Sequence, residues 1–368
     1  MTKRDEIQKE ALQVAVKNRR CGLAISMGVG KTLIGLKYVD FWRNTTPDNT
    51  KVLVVAPKLS IFESWKSDAE RFEISVDDFK YTTYLSLNKY NPHDYDILIL
   101  DECHSLLRSH HTFLMNYRGR ILGLTGTPPR YEHSEKGEMI GRYCPILYDY
   151  ITDDAVEDKI LNDYRIIVHK MPLSYENNLK VNTKTSSFYT SEKKNYDYWT
   201  HRYAQAETKK QEQISAVMRM RALMDFRTKE IYTKELLNSI EDKCIVFCNT
   251  QDQADRICEH SYHSANEDSE ENLNAFKEGK IEQLSCVLQL NEGVNIPNLR
   301  AGIIMHAYGN ERKSSQRIGR LLRLNPDDTA VIHILCYKDT VDEKWVREAL
   351  KDLDEKKIRY HNVEMQTS

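Results

Sequence analysis

Short apolar runs punctuate the first 130 residues at Gly22–Ile25, Val52–Ala56, Ile97–Leu100 and Ile121–Leu124. Each is too brief for a helix and lacks the polar alternation of a half-exposed strand, so each reads as a strand buried on both faces. Longer stretches of mixed polarity with helical spacing lie between them, among them the one opening at Leu33-Ile34-Gly35-Leu36. Strand and helix in alternation predict a parallel sheet covered by helices on both faces. The same texture returns at Ile166–Val168, Cys244–Phe247, Gly302–Met305 and Val331–Leu335. An α/β protein of two halves follows, with domain 1 expected over residues 1–150 and domain 2 over 151–368. From about 175 to 240 the strand texture gives way to a polar stretch, which predicts a helical insertion.

With 368 residues, of which 40% are hydrophobic and 29% charged, the chain has the composition of a globular protein large enough for two or three cores. No apolar run approaches the ~20 residues of a membrane-spanning helix. The charged start Met1–Glu6 does not read as a signal peptide, so no membrane partner and a cytoplasmic location (host cytoplasm for a phage protein) are expected. The eight cysteines include no C-x-x-C pair, and Cys244 and Cys248 flank a strand-like Ile-Val-Phe that points both to one face. Reduced core thiols are the better reading than a zinc or iron–sulfur site. Net charge is −2, so attraction to a polyanion must come from local patches. One candidate patch runs from Glu176 to Glu230, with eleven Lys/Arg against seven Asp/Glu and the aromatics Phe188, Tyr189, Tyr196, Tyr198, Trp199 and Tyr203. Two readings of it stay open. Its rings either stack on nucleic-acid bases or pack on a neighbouring domain.

Chemistry concentrates first at Ser26-Met27-Gly28-Val29-Gly30-Lys31-Thr32, between a strand and a helix. A Gly-rich turn there lets backbone N–H groups converge on a phosphate, and the helix N-terminus adds partial positive charge. Met27, Gly28, Val29, Gly30, Lys31 and Thr32 are the expected nucleotide-binding residues, with Lys31 on the β/γ-phosphates and the Thr32 hydroxyl on Mg²⁺. The first Gly of G-x-x-x-x-G-K-[ST] is replaced by Ile25. Downstream, Ile97–Leu100 runs into Asp101-Glu102-Cys103-His104. A strand ending in two acids suits nucleotide hydrolysis, with Asp101 as the Mg²⁺ carboxylate and Glu102 as the general base. A third strand ends at Thr125-Gly126-Thr127-Pro128-Pro129, whose loop is placed to sense a γ-phosphate. Gln316, Arg320 and Arg323 fall three or four residues apart, on one helical face that can present two guanidinium groups to phosphates.

These elements, in this order, resemble the superfamily 2 helicases and translocases over nearly the whole chain. Met27–Thr32 looks like motif I, and Asp101–His104 like the DEAD/DEAH-type motif II. Thr125–Pro128 resembles motif III. Val54-Val55-Ala56-Pro57-Lys58, with Trp65 following, is similar to motif Ia. Lys243–Cys248 resembles motif IV, Leu290–Pro297 motif V and Ser315–Arg323 motif VI. The resemblance implies two RecA-like P-loop domains in tandem, with ATP and Mg²⁺ as cofactors. It makes Lys31, Glu102, Gln316, Arg320 and Arg323 the catalytic set and Thr32 and Asp101 the metal ligands. Gly293 and Asn295 become nucleotide-facing, although many relatives carry Asp at the Asn295 position. Gln8 takes the place of an adenine-reading glutamine, with Gln13 as a weaker substitute, and Pro57 and Lys58 that of backbone contacts to nucleic acid. Tyr198 and Trp199 are further candidate contacts, and Asp163-Tyr164-Arg165-Ile166 has the flavour of the repair group.

The text around the motifs stands nearest the DNA translocases of Swi/Snf type and the phage recombination and repair helicases similar to the repair helicase of transcription factor IIH. An ATP-dependent DNA helicase or translocase in repair, recombination or replication is therefore expected, from a phage or bacterium, with DNA favoured over RNA as partner. An RNA helicase remains the alternative, but its DEAD-box form would carry Asp-Glu-Ala-Asp where Cys103-His104 end the motif here. A DNA-stimulated ATPase that remodels protein–DNA complexes without unwinding uses the same motor residues and stays open beside it.

Overall fold

The computed structural model describes residues 2–26, 28–46, 50–59, 61–129, 131–182, 186–287, 296–307, 328–351 and 353–364. The chain divides into two compact units, with the boundary between Asp163 and Tyr164.

In the first unit, six strands form one sheet: β1 (Arg20–Ile25), β2 (Val52–Ala56), β3 (Phe79–Thr83), β4 (Ile97–Asp101), β5 (Arg120–Thr125) and β6 (Ile146–Tyr150). Their order is β3-β2-β4-β5-β1-β6 and every pairing is parallel. The connecting helices are α1 (Lys3–Lys17), α2 (Lys31–Thr45), α3 (Ile61–Arg71), α4 (His111–Asn116), α5 (Glu135–Tyr143) and α6 (Thr152–Glu157). All residues of β2 and β4 are buried, as their unbroken Val/Leu/Ile runs require of central strands. A core of Leu53, Val55, Leu98, Leu100, Ile121 and residues from α4 and α5 lies on one face of the sheet.

The second unit carries a seven-stranded sheet in the order β11-β12-β10-β13-β14-β7-β15. Its strands are β7 (Asp163–Met171), β10 (Cys244–Cys248), β11 (Ser261–Tyr262), β12 (Gln283–Val287), β13 (Ala301–Ile304), β14 (Thr329–Tyr337) and β15 (Ile358–Asn362), with helices α10 (Gln251–Ile257), α11 (Ser269–Glu278) and α12 (Val341–Leu350). Between β7 and β10 the polar segment holds three helices, α7 (Glu192–Ala204), α8 (Lys209–Asp225) and α9 (Arg227–Asn238). It opens, however, on an antiparallel hairpin of β8 (Leu179–Asn182) and β9 (Ser187–Thr190), where the polar composition predicts helix.

A buried ion pair ties α9 to α12. Lys229 Nζ donates to Asp342 Oδ2 at 2.6 Å, and the ammonium lies 4.7 Å from the Tyr337 ring centroid. Such a pair, once made, is costly to break from one side. Lys229 therefore counts in the basic composition of the segment but not in its surface. Cys244 and Cys248 share one core cluster, on a single face of β10, and all eight cysteines are buried free thiols. Among the described residues no helix is long and apolar enough to cross a membrane.

Candidate active site in the first unit

Four neighbouring strands of the first sheet end side by side, and each releases a loop that carries chemistry. β2 leads to Pro57 and Lys58, β4 to Asp101 and Glu102, β5 to Thr125 and Thr127, and β1 to the phosphate loop. In an open α/β sheet this carboxyl edge is where ligands bind.

The phosphate loop is shaped by its glycines. Gly30 stands at φ 106°, a left-handed conformation that caps α2 without any side-chain bond, and no acidic residue enters the first turn. The first N–H groups of α2 are thus left for an anion. A Cβ on Gly30 would lie 2.6 Å from Gln8 Nε2, so a side chain is excluded on both counts. Gln8 itself is buried in α1 and donates to the Val29 carbonyl at 2.7 Å, with Arg4 Nε donating to the same oxygen at 3.0 Å. Gln13 is exposed. Lys31 Nζ donates to Ile25 O at 3.4 Å and lies 3.9 Å from Glu102 Oε1, while Thr32 is half-buried in the first turn of α2.

Asp101 and Glu102 are both buried at the tip of β4. Glu102 sits at φ 49°, ψ 53°, a strained conformation for a non-glycine residue and one that recurs at functional sites. Its N–H donates to Asp101 Oδ1 at 2.9 Å. The Trp65 indole N–H donates to Asp101 Oδ2 at 2.8 Å, and the Tyr84 hydroxyl to the Asp101 carbonyl at 2.9 Å. Burial first, and the charge of Glu102 second, push the Asp101 carboxyl up to about 6, against the pull of the Trp65 bond and Lys31. Perturbation of this kind marks sites that handle charge.

His104 joins the acidic pair to the β5 loop. Its Nδ1 lies 3.3 Å from Glu102 Oε2, 2.8 Å from Thr125 Oγ1 and 3.5 Å from Thr127 Oγ1. The Thr127 N–H donates to Thr125 Oγ1 at 3.1 Å. In the sequence His104 only closes the Asp-Glu-Cys-His run. Only the β4–β5 register, which sets Asp101 beside Leu124, brings position 104 to Thr125. In the sequence Trp65 only follows the Val54–Lys58 run, and its bond to Asp101 has no signal in the spacing.

The remaining expected residues divide in two. Pro57 and Lys58 are half-buried immediately beyond β2. On α7, Tyr198 is 55% exposed and its ring meets Trp199 edge-on at 5.0 Å. Tyr196 belongs instead to the core, its hydroxyl accepting from the Val341 N–H at 2.9 Å. Met27, Gly293, Asn295, Gln316, Arg320 and Arg323 lie outside the described residues.

Residues 227–325 match the family model for the helicase conserved C-terminal domain, and residues 2–91 match that for the res subunit of type III restriction enzymes. The chain belongs to the superfamily 2 helicases and translocases. Members of these families hydrolyse ATP and act on nucleic acid. This superfamily 2 motor is 26% identical over 387 residues to the DNA 3′-5′ translocase XPB2 of Sulfurisphaera tokodaii, covering 93% of the chain and 83% of that relative. Among solved structures it resembles the ATP-dependent type ISP restriction-modification enzyme LlaBIII bound to DNA, with a TM-score of 0.64 and 15% identity over 98% of this chain. It spans only 31% of that enzyme's length. A fragment of an HsdR type I restriction subunit from Vibrio vulnificus gives 0.63 at 16% identity, covering 97% of this chain and 68% of that one. The Hef helicase domain of Pyrococcus furiosus gives 0.51 at 15%, covering 94% and 98%. These likenesses establish the fold as two parallel-sheet α/β domains of the tandem RecA-like kind.

Proposed function

We propose that this protein is an ATP-dependent DNA translocase or helicase that converts ATP·Mg²⁺ hydrolysis into movement along DNA, in repair, recombination or replication. The observation that carries the reading is the meeting of Lys31, Asp101, Glu102 and the His104–Thr125 link at one sheet edge beside an uncapped helix N-terminus. Among the described residues, two buried carboxylates there lie beside the Lys31 ammonium, an excess of negative oxygen that suits a divalent cation. Mg²⁺ takes few protein ligands and completes its shell with water and phosphate oxygens. Thr32 and Asp101 would hold it, and it would neutralise charge developing on the phosphates.

Each protein group then has a task. The phosphate-loop N–H groups and Lys31 bind and orient the β- and γ-phosphates. Gln8, anchored to Val29, holds the loop and the adenine end. Glu102 accepts the proton of the attacking water, while His104 keeps that carboxylate in place and relays its position to the Thr125–Thr127 loop. Gln316, Arg320 and Arg323 are the proposed additional phosphate contacts, and Gly293 and Asn295 the proposed nucleotide-facing positions. Pro57, Lys58, Tyr198 and Trp199 are the proposed nucleic-acid contacts, and the cytoplasm the proposed location.

DNA is favoured over RNA because the curated relative is described as a DNA translocase and LlaBIII was solved on DNA. The same description favours movement along DNA, with 3′-to-5′ polarity, over unwinding as the basic activity. ATP turnover titrated with single-stranded DNA, duplex DNA, forked DNA and RNA tests the assignment. Stimulation by DNA above RNA is expected, and equal stimulation by both would remove the preference.

A further inference from the structure

Trp65 lies on α3, outside the phosphate loop, the acidic pair and the β5 loop, yet it bonds to the acidic pair and packs against the helix that follows the phosphate loop. Its side chain is fully buried, and its indole N–H donates to Asp101 Oδ2 at 2.8 Å. The other carboxylate oxygen accepts from the Glu102 N–H at 2.9 Å. A carboxylate oxygen carries two acceptor sites, so these two bonds fix the plane of the group and leave one site on each oxygen for a cation or its water. The ring is in turn wedged against α2, the helix that begins with Lys31 and Thr32. A Cβ on Gly35 would fall 2.5 Å from Trp65 Cη2. One rigid side chain therefore spans the helix that opens at the phosphates and the carboxylate at the tip of β4.

We propose that Trp65 is a positioning residue for Asp101, its indole N–H aiming the carboxylate at the divalent cation that accompanies ATP. This rests on the reading of the first unit as an ATP·Mg²⁺ site. Asp101 would meet the cation, and Trp65 acts only through it. Groups that orient a metal ligand from behind are worth 10–100-fold in metal affinity.

The test removes the N–H and keeps the ring. Trp65→Phe, and the same position carrying 3-benzothienylalanine, which replaces the N–H by sulfur in a ring of the same shape, are compared with wild type. Mn²⁺ binding to the protein with a non-hydrolysable ATP analogue is measured by electron paramagnetic resonance, alongside the Mg²⁺ concentration for half-maximal hydrolysis. About tenfold weaker Mn²⁺ binding is expected, with a parallel rise in the Mg²⁺ requirement and recovery of most of kcat at saturating Mg²⁺. Wild-type Mn²⁺ affinity in a folded variant overturns the positioning role, and the benzothienyl form decides it if the phenylalanine form does not fold. Asp101→Asn is the control for the underlying site. If it binds Mn²⁺ like wild type, the ATP·Mg²⁺ reading itself fails, whereas loss there with unchanged affinity at the Trp65 variants sinks only the present inference.

Discussion

At the scale of single residues, the account places hydrolysis on Lys31 and Glu102. On that proposal Lys31→Ala would remove the cation meant for the phosphates, and Glu102→Gln the base while keeping the side chain's shape. Each is expected to lower ATP turnover by about a hundredfold or more, with thermal unfolding close to wild type. Wild-type turnover in either purified variant contradicts the assignment. Gly35 makes a different kind of test, since its role is to leave room. Gly35→Ala places a methyl group 2.5 Å from Trp65 in a packed interior, an overpacking that costs about 1–3 kcal/mol. A denaturant titration showing no loss would mean that the ring moves aside freely. The places of the paired acids Asp101 and Glu102 and of the Gly-rich turn before α2 were legible in the sequence because each is local, a few residues at the end of one apolar strand. His104 and Trp65 were not legible. Their partners, Thr125 and Asp101, are brought to them by strand register and helix packing, which no spacing along the chain records.

At the scale of elements, strands were readable where they are buried on both faces. Val52–Ala56 and Cys244–Cys248 are continuous apolar runs because they lie inside their sheets. Phe79-Lys80-Tyr81-Thr82-Thr83 and Ile146-Leu147-Tyr148-Asp149-Tyr150 escaped because they form the two edges of the first sheet, where polar residues are tolerated. The β8–β9 hairpin escaped for a related reason. Lys180 and Tyr189 pair across it as exposed residues, so no buried stripe marks it. The aromatic segment proves divided, with Tyr196 in the core and Tyr198 exposed. If the exposed Tyr198 and the half-buried Trp199 beside it act on DNA, Tyr198→Ala with Trp199→Ala should abolish strand separation on forked DNA at unchanged ATP turnover. Unwinding that survives would assign those rings to structure.

A second element-scale prediction concerns β7 and β14, which place His169 Nε2 2.9 Å from His333 Nδ1. Burial, with the neighbouring histidine charges, lowers His169 to about 3, and burial lowers His333 to about 4. Below pH 6.5 the unfolded chain binds protons that these folded rings refuse, so the second unit loses stability as pH falls from about 6.5 toward 4. Asp101, raised by its site, acts in the opposite sense but in the first unit. The measurable quantity is the slope of stability against pH, which should be shallower in His333→Asn than in wild type. An unchanged slope would discharge the pair of this role.

At the scale of the whole molecule, the balanced charge of −2 means that DNA is not gathered by a long-range field. Binding instead depends on local phosphate contacts, each releasing counterions, so DNA-stimulated ATP turnover should decline steadily as salt is raised while turnover without DNA changes little. Stimulation that ignores salt would argue against backbone contacts. The two-unit α/β organisation could be read from the alternation of strands and helices, and the comparisons agree with it. The central claim is that hydrolysis drives movement along DNA, and displacement of a third strand from intact duplex DNA tests it most directly. Wild-type protein with ATP should release the third strand, whereas Lys31→Ala or a non-hydrolysable analogue should leave it bound. DNA-stimulated hydrolysis with the triplex left intact would contradict the account and describe an ATPase that clamps DNA without travelling along it.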